Sequence, residues 1–306
     1  MHPDGQLIGI AVALVLVGGP LLLALAGWFP ARRAPAESTR GHSIPWNWKL
    51  TATSALLYTL AFNSIFFIQE LFLVLPKALT PGLRPTLFHN NHTWEGEHSL
   101  ASLFQGTGAL ATFLTAIAGV LLLRRGSGRT SMRLFLIWMA YNGFFQSLPQ
   151  VIIGAVNPGN DVGMAMDYFE LGTTAKTVAV FVALVAIPAA ALCLTRPLLC
   201  LAEDPAYIAD ARARTRFVFQ VATLPALAAI VLIIPFRVPR DLIEVVVLPV
   251  VVTLIGIAWM QAGAWCIRDV KAGGSWGKGS IAYPLAAVVI LLLVFQLVLR
   301  PGIRFY

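Results

Sequence analysis

The stretch IQELFLVLPKALTPGLRPTLFHNNHTWEGEH, Ile68 to His98, decides how the rest of this chain is read. Its first part is an apolar run that carries Gln69, Glu70 and Lys77 inside it. A carboxylate within a hydrophobic segment is costly in lipid, so it marks a site more often than a filler. Just beyond, His89, His92, Glu95, Glu97 and His98 crowd together, and they include three of the five histidines.

Working outward, the chain of 306 residues is 58% hydrophobic and only 12% charged. A soluble domain carries roughly 25% charge, so this composition belongs in a bilayer. Apolar runs long enough to cross it read as 7–29, 50–79, 101–123, 134–156, 177–194, 218–236, 242–267 and 281–299. The expected fold is therefore all-α, a polytopic transmembrane bundle of about eight spans. Fifteen Lys and Arg residues fall on one set of alternating loops and seven on the other. By the positive-inside rule both termini then lie outside, in a plasma or bacterial inner membrane. Ala24-Leu25-Ala26 resembles a signal-peptidase site, but no basic segment precedes the first run, which reads as a retained anchor.

The net charge of +8 is spread over short loops between apolar runs. It forms no continuous basic face, which argues against nucleic acid and leaves the lipid bilayer as the main partner. Arg212, Arg214 and Arg216, in the long loop 196–217, could hold anionic headgroups, but the loop reads as a solvated, lipid-facing stretch and not as a binding motif. Cys193, Cys200 and Cys266 are too scattered for a disulfide framework or a CxxC metal site, and read as reduced, buried apolar residues. Four regions follow: an anchor and basic loop (1–49), a four-span core with two polar outer loops (50–195), an inner loop (196–217) and an aliphatic three-span scaffold (218–306).

The alternation sorts the polar residues onto one side. The second outer loop brings Asn157, Asn160, Asp161, Asp167 and Glu170 to the side that holds the histidines. In the fourth span Asn142, Gln146 and Gln150 are spaced by four and share one helix face. The bland reading of this stripe is interhelical hydrogen bonding, worth about 0.6 kcal/mol per bond. Gly106 to Gly119, rich in Gly, Ala and Thr, reads as a close-packing face.

QELFLVLPKALTPG (69–82), GTGALATFLTAIAG (106–119) and the segment ending at Asp161 follow one another in an order that resembles the site-2-protease-like intramembrane zinc metalloproteases. The resemblance covers roughly residues 50–195. It implies that Glu70 stands at the general-base position and Asp161 at the third zinc ligand. The motif is degenerate, because Gln69 and Leu73 replace the two zinc-binding histidines. Zinc needs about three protein ligands and an open position, so the resemblance implies a pseudoprotease without a cofactor, a binding or regulatory protein with a membrane-protein or peptide partner. Two alternatives stand beside it. His89 and His92 with Asp161 could relocate a zinc ion and support hydrolysis. Glu70 with the Asn142, Gln146 and Gln150 stripe could instead line a proton or solute path.

Overall fold

The computed structural model describes residues 3–33, 46–125, 128–276 and 280–306, with side chains from residue 5 to 27 in the first of these. Arg40, in the stretch 34–45, and Lys278, both counted in the loop charge above, lie outside the described residues.

Helices dominate. In chain order they are α1 (Gly5–Gly27) and α2 (Trp48–Ala78); α3 (Leu100–Arg124), with a break at Gln105 and Gly106; α4 (Thr130–Val156); and α5 (Asp161–Tyr168). Then come α6 (Thr173–Leu199), α7 (Ala211–Arg237), α8 (Ile243–Cys266) and α9 (Ala282–Leu299). Seven of them, all but α4 and α5, are long and apolar enough to cross a membrane.

The helix α4 is less apolar because its inner face carries Asn142, Gln146, Ser147 and Gln150. It nonetheless has 27 residues, about 40 Å at the α-helical rise. It packs against α2, α3, α6 and α8, so its polar face meets protein and not lipid. A helix enclosed by others can afford polar groups that a lipid-facing one cannot.

At the centre, polar contacts join the helices. Tyr58, Trp138, Tyr141 and Phe145 form an aromatic stack with successive ring centroids 4.9, 5.5 and 4.4 Å apart. Each polar tip in that stack is satisfied across a helix boundary. The Tyr58 hydroxyl lies 2.8 Å from Thr253 Oγ1, Tyr141 donates to Thr253 O at 2.6 Å, and Trp138 Nε1 donates to Ser54 Oγ at 3.1 Å. Lipid tails give helices little hydrophobic reason to associate, so such bonds and close packing hold the bundle. The small-residue face acts as expected: a Cβ on Gly119 would sit 3.3 Å from Ala140 Cβ, and one on Gly108 would sit 2.7 Å from Leu73 Cγ.

One element departs from the all-α expectation. The polar loop after α2 is a hairpin, β1 (Arg84–Leu87) and β2 (His92–Glu95), with Leu87 opposite His92. A third strand, β3 (Ile303–Arg304), pairs with the other edge of β1 and gives the order β2-β1-β3. Gly96, at φ 93°, closes the hairpin where an added Cβ would strike the Gly82 carbonyl. The cysteines also differ from their reading. All three are free, but Cys193 is exposed and Cys200 and Cys266 are half-buried.

Candidate functional site

Glu70 and Lys77 lie two helical turns apart on one face of α2, about 10 Å along its axis, and both are buried. The residues that bridge them come from other elements. Strand alternation puts His92 and Trp94 on the same face of β2, and that face lies over α2: His92 Nδ1 is 3.0 Å from Glu70 Oε2, and the Lys77 ammonium lies 4.7 Å from the Trp94 ring centre. Gln105, at the break in α3, completes the path, with its Oε1 3.0 Å from His92 Nε2 and 2.9 Å from Lys77 Nζ.

Lys77 has only donors to offer when protonated; its Nζ donates to Leu73 O at 2.8 Å and to Gln105 Oε1, and it also lies 3.5 Å from His92 Nε2. The contact with Lys77 orients the Gln105 amide with its oxygen toward the cluster.

Proline shapes this end of α2. Pro76 has no N–H, which leaves the Phe72 carbonyl without its helical donor. The Thr107 hydroxyl of α3 lies 2.6 Å from that oxygen and also 2.6 Å from Phe104 O. The contact brings the start of α3, and Gln105 with it, against the Glu70 helix.

Asp161 opens α5 beside the cluster. Burial, and then the negative charge of Glu70, raise its carboxyl above the ordinary carboxylate range, while His92 and Lys77 oppose the shift. The buried Arg237, at the end of α7, brings another positive charge within electrostatic reach of Glu70. Its guanidinium stacks 3.9 Å from the Phe66 ring centre, and its Nε donates to Glu244 O at 3.2 Å.

The other candidate residues fall into three groups. The amide stripe turns inward: Gln146 donates to Phe62 O at 3.2 Å, Gln150 to Gln69 Oε1 at 2.9 Å, and Asn142 to Trp138 O at 3.0 Å. It thus reaches from the middle of the bundle to the residue beside Glu70. The oxygens of Asn63, Asn142 and Gln146 have no partner among the described residues. Asn160 is the helix cap of α5 and accepts from Val162 N at 3.3 Å.

His89 goes elsewhere. Its Nε2 lies 3.2 Å from Val238 O, and Asn90 donates to Arg237 O at 2.7 Å, so together they close the carbonyl end of α7. Burial holds His89 below the ordinary histidine value, with Arg300, Arg240 and Arg237 adding to the effect against the Val238 hydrogen bond. His98 caps α3 by accepting from Leu100 N at 3.2 Å. Among the described residues no three of His, Cys, Asp and Glu are gathered as a metal-binding group. The zinc-ligand positions implied by the protease resemblance hold Leu73, buried against Gly108, and Gln69, which accepts from Gln150. This donor set does not suit zinc.

Gln105, Arg237 and Trp94 were not singled out as site residues from the sequence. Lys77, seven residues after Glu70, carried a helical-spacing signal; Gln105 and Arg237 carried none that separates a site from a helix end. Comparison with family models, curated proteins and solved structures finds no match for this chain.

Proposed function

We propose that this chain is an integral membrane protein with a site-2-protease-like core that binds and regulates instead of cutting. On this reading α4 is an eighth crossing and both termini lie on the outer side. The observation that carries the proposal is the clasp on Glu70: its carboxylate is held 3.0 Å from His92 Nδ1, and the flanking ligand positions carry leucine and a bonded amide. A carboxyl group clasped this way is a structural partner of His92, not a base awaiting a metal-bound water. The hairpin that supplies His92 is the face to which a membrane-protein or peptide partner would be presented.

The test is to restore the ligands. A Gln69→His/Leu73→His variant is expected to acquire one zinc per chain, held with Asp161, while the unaltered protein binds none and cleaves no transmembrane peptide. A folded double variant that stays metal-free sinks the protease-like reading. Stoichiometric zinc in the unaltered protein, lost in His89→Ala/His92→Ala, replaces it with relocated ligation.

A second reading has its own support. The partnerless oxygens of Asn63, Asn142 and Gln146 are what a water-bearing path needs. A proton or solute flux in proteoliposomes that falls at least tenfold in Gln146→Leu and Glu70→Gln would establish conduction; no flux above empty vesicles rejects it.

A further inference from the structure

The turn of the hairpin and the chain leaving α7 flank a cavity of about 230 Å³, with His89, Asn90 and Arg240 in its lining. Two polar atoms of these residues are left over from the closing of α7. The Val238 carbonyl has no proton to give, so His89 Nε2 is the donor in that contact. Burial, and then the positive charges of Arg300, Arg240 and Arg237, disfavour a second proton on the ring, which leaves Nδ1 as a bare acceptor. Asn90 uses its amide nitrogen on Arg237 O and keeps its oxygen. The two residues are only 7% and 4% exposed, and neither His89 Nδ1 nor Asn90 Oδ1 has a partner among the described residues. Their side chains reach the carbonyls of consecutive residues, Val238 and Arg237, and so stand side by side. Native structures rarely leave two neighbouring buried acceptors unmet.

We propose that this cavity binds a neutral primary carboxamide, such as that of glutamine, whose two N–H groups serve His89 Nδ1 and Asn90 Oδ1 and whose carbonyl accepts from Arg240. Other groups fail on donor count or on charge. A carboxylate has no donor and would face two lone pairs. An ammonium or a metal cation would sit among three guanidinium groups, at a Coulombic cost. A hydroxyl brings one donor to two acceptors. A primary amide brings two donors and one acceptor, and the guanidinium of Arg240, which can only donate, matches that acceptor. Glu244 holds its Nε at 2.9 Å, which orients the group and leaves its other N–H bonds for a ligand. The cavity is smaller than the roughly 300–1,000 Å³ that encloses a drug-sized ligand, and suits one group of side-chain size. The site stands apart from the protease-like reading, because His89 and Asn90 bond to the end of α7 and not to Glu70.

The experiment is isothermal titration of the full chain in neutral detergent with L-glutamine, with L-glutamate, and with an Ala-Gln-Ala tripeptide blocked by acetyl and N-methylamide groups. One site per chain is expected for an amide, with glutamate at least about tenfold weaker. Binding of glutamine alone assigns the site to a free small molecule, and binding of the tripeptide assigns it to a side chain of a peptide partner. Arg240→Met should weaken the amide about tenfold, with thermal unfolding to check that the variant folds. His89 and Asn90 also close α7, so their part is read without replacing them, from the nitrogen NMR signal of the His89 ring, identified by its absence in His89→Asn. That Nδ1 signal should move when the amide is added, as its lone pair gains a donor. Glutamate bound as tightly as glutamine, an unchanged affinity in Arg240→Met, or an unmoved Nδ1 signal overturns the proposal. So does absence of binding by both amides, which would leave ordered water as the partner of the two atoms.

Discussion

Glu70 Oε2 and His92 Nδ1 are 3.0 Å apart, and the two residues are only 5% and 8% exposed. A hairpin thereby places a ring nitrogen on a carboxylate carried by α2. Removing one side of such a pair strands the other, at a cost of about 3–5 kcal/mol. His92→Ala is therefore expected to be strongly destabilising in thermal unfolding, and Glu70→Gln mild. The double variant should recover most of the loss; additive effects would show that the two groups do not act as a pair.

The Pro76 and Thr107 contact predicts a conditional effect. Thr107→Val removes the hydroxyl from the exposed Phe72 carbonyl and should cost about 0.5–1.5 kcal/mol. In a Pro76→Ala background, residue 76 regains its N–H and can serve that carbonyl itself. The same Thr107→Val change should then cost well under half as much. Equal losses in both backgrounds would dissociate Thr107 from the proline.

Close packing at Gly108 makes a third case. A Cβ there would lie 2.9 Å from Gln69 O as well as 2.7 Å from Leu73 Cγ. Gly108→Ala should destabilise by about 1–3 kcal/mol through overpacking. Adding Leu73→Ala relieves only the side-chain half of that clash, so partial rescue is the expected outcome. Full tolerance of Gly108→Ala would mean that α3 can move freely on α2.

His89 sets a pH dependence. Its folded-state value lies below the ordinary 6.5, so the unfolded chain takes up the proton more readily than the folded one. Stability from this group is complete above pH 6.5 and is lost as pH falls through the folded value. His89→Asn should flatten the stability profile in that acidic window and leave it unchanged at pH 8. A profile as steep as that of the unaltered protein would locate the acid sensitivity elsewhere.

Topology can be tested with reporters fused after Gly128 and after Gly159, at the two ends of α4. Opposite sidedness is expected; the same side at both removes α4 from the list of crossings and inverts the positions of all later helices.

The helices were legible because their cause is local: an apolar run of sufficient length is visible in the chain itself. The stripe on α4 was legible for a similar reason, since spacing by four defines a face without reference to anything else. The hairpin was not. Its strands have four residues each, one contains Pro85, and Asn90 and Asn91 between them read equally well as any turn. Whether His92 turns inward depends on strand register, and a shift of one residue would have sent it outward. The electrostatic coupling of Arg237 to Glu70 is further out of reach, because only the packing of α7 on α2 brings the two within range of each other.

The sheet carries a consequence for biosynthesis. Its middle strand, β1, finds β2 a few residues later, but its other neighbour, β3, follows α9 and leaves the ribosome only after every described helix has been made. Until then one edge of β1 stays open, and Phe305 N has not yet reached Pro85 O, 3.1 Å away in the finished fold. The roof over Glu70 is thus completed last, so a chain that stalls before residue 303 would display its unfinished state as an exposed strand edge, the kind of surface that quality-control factors and aggregation both recognise.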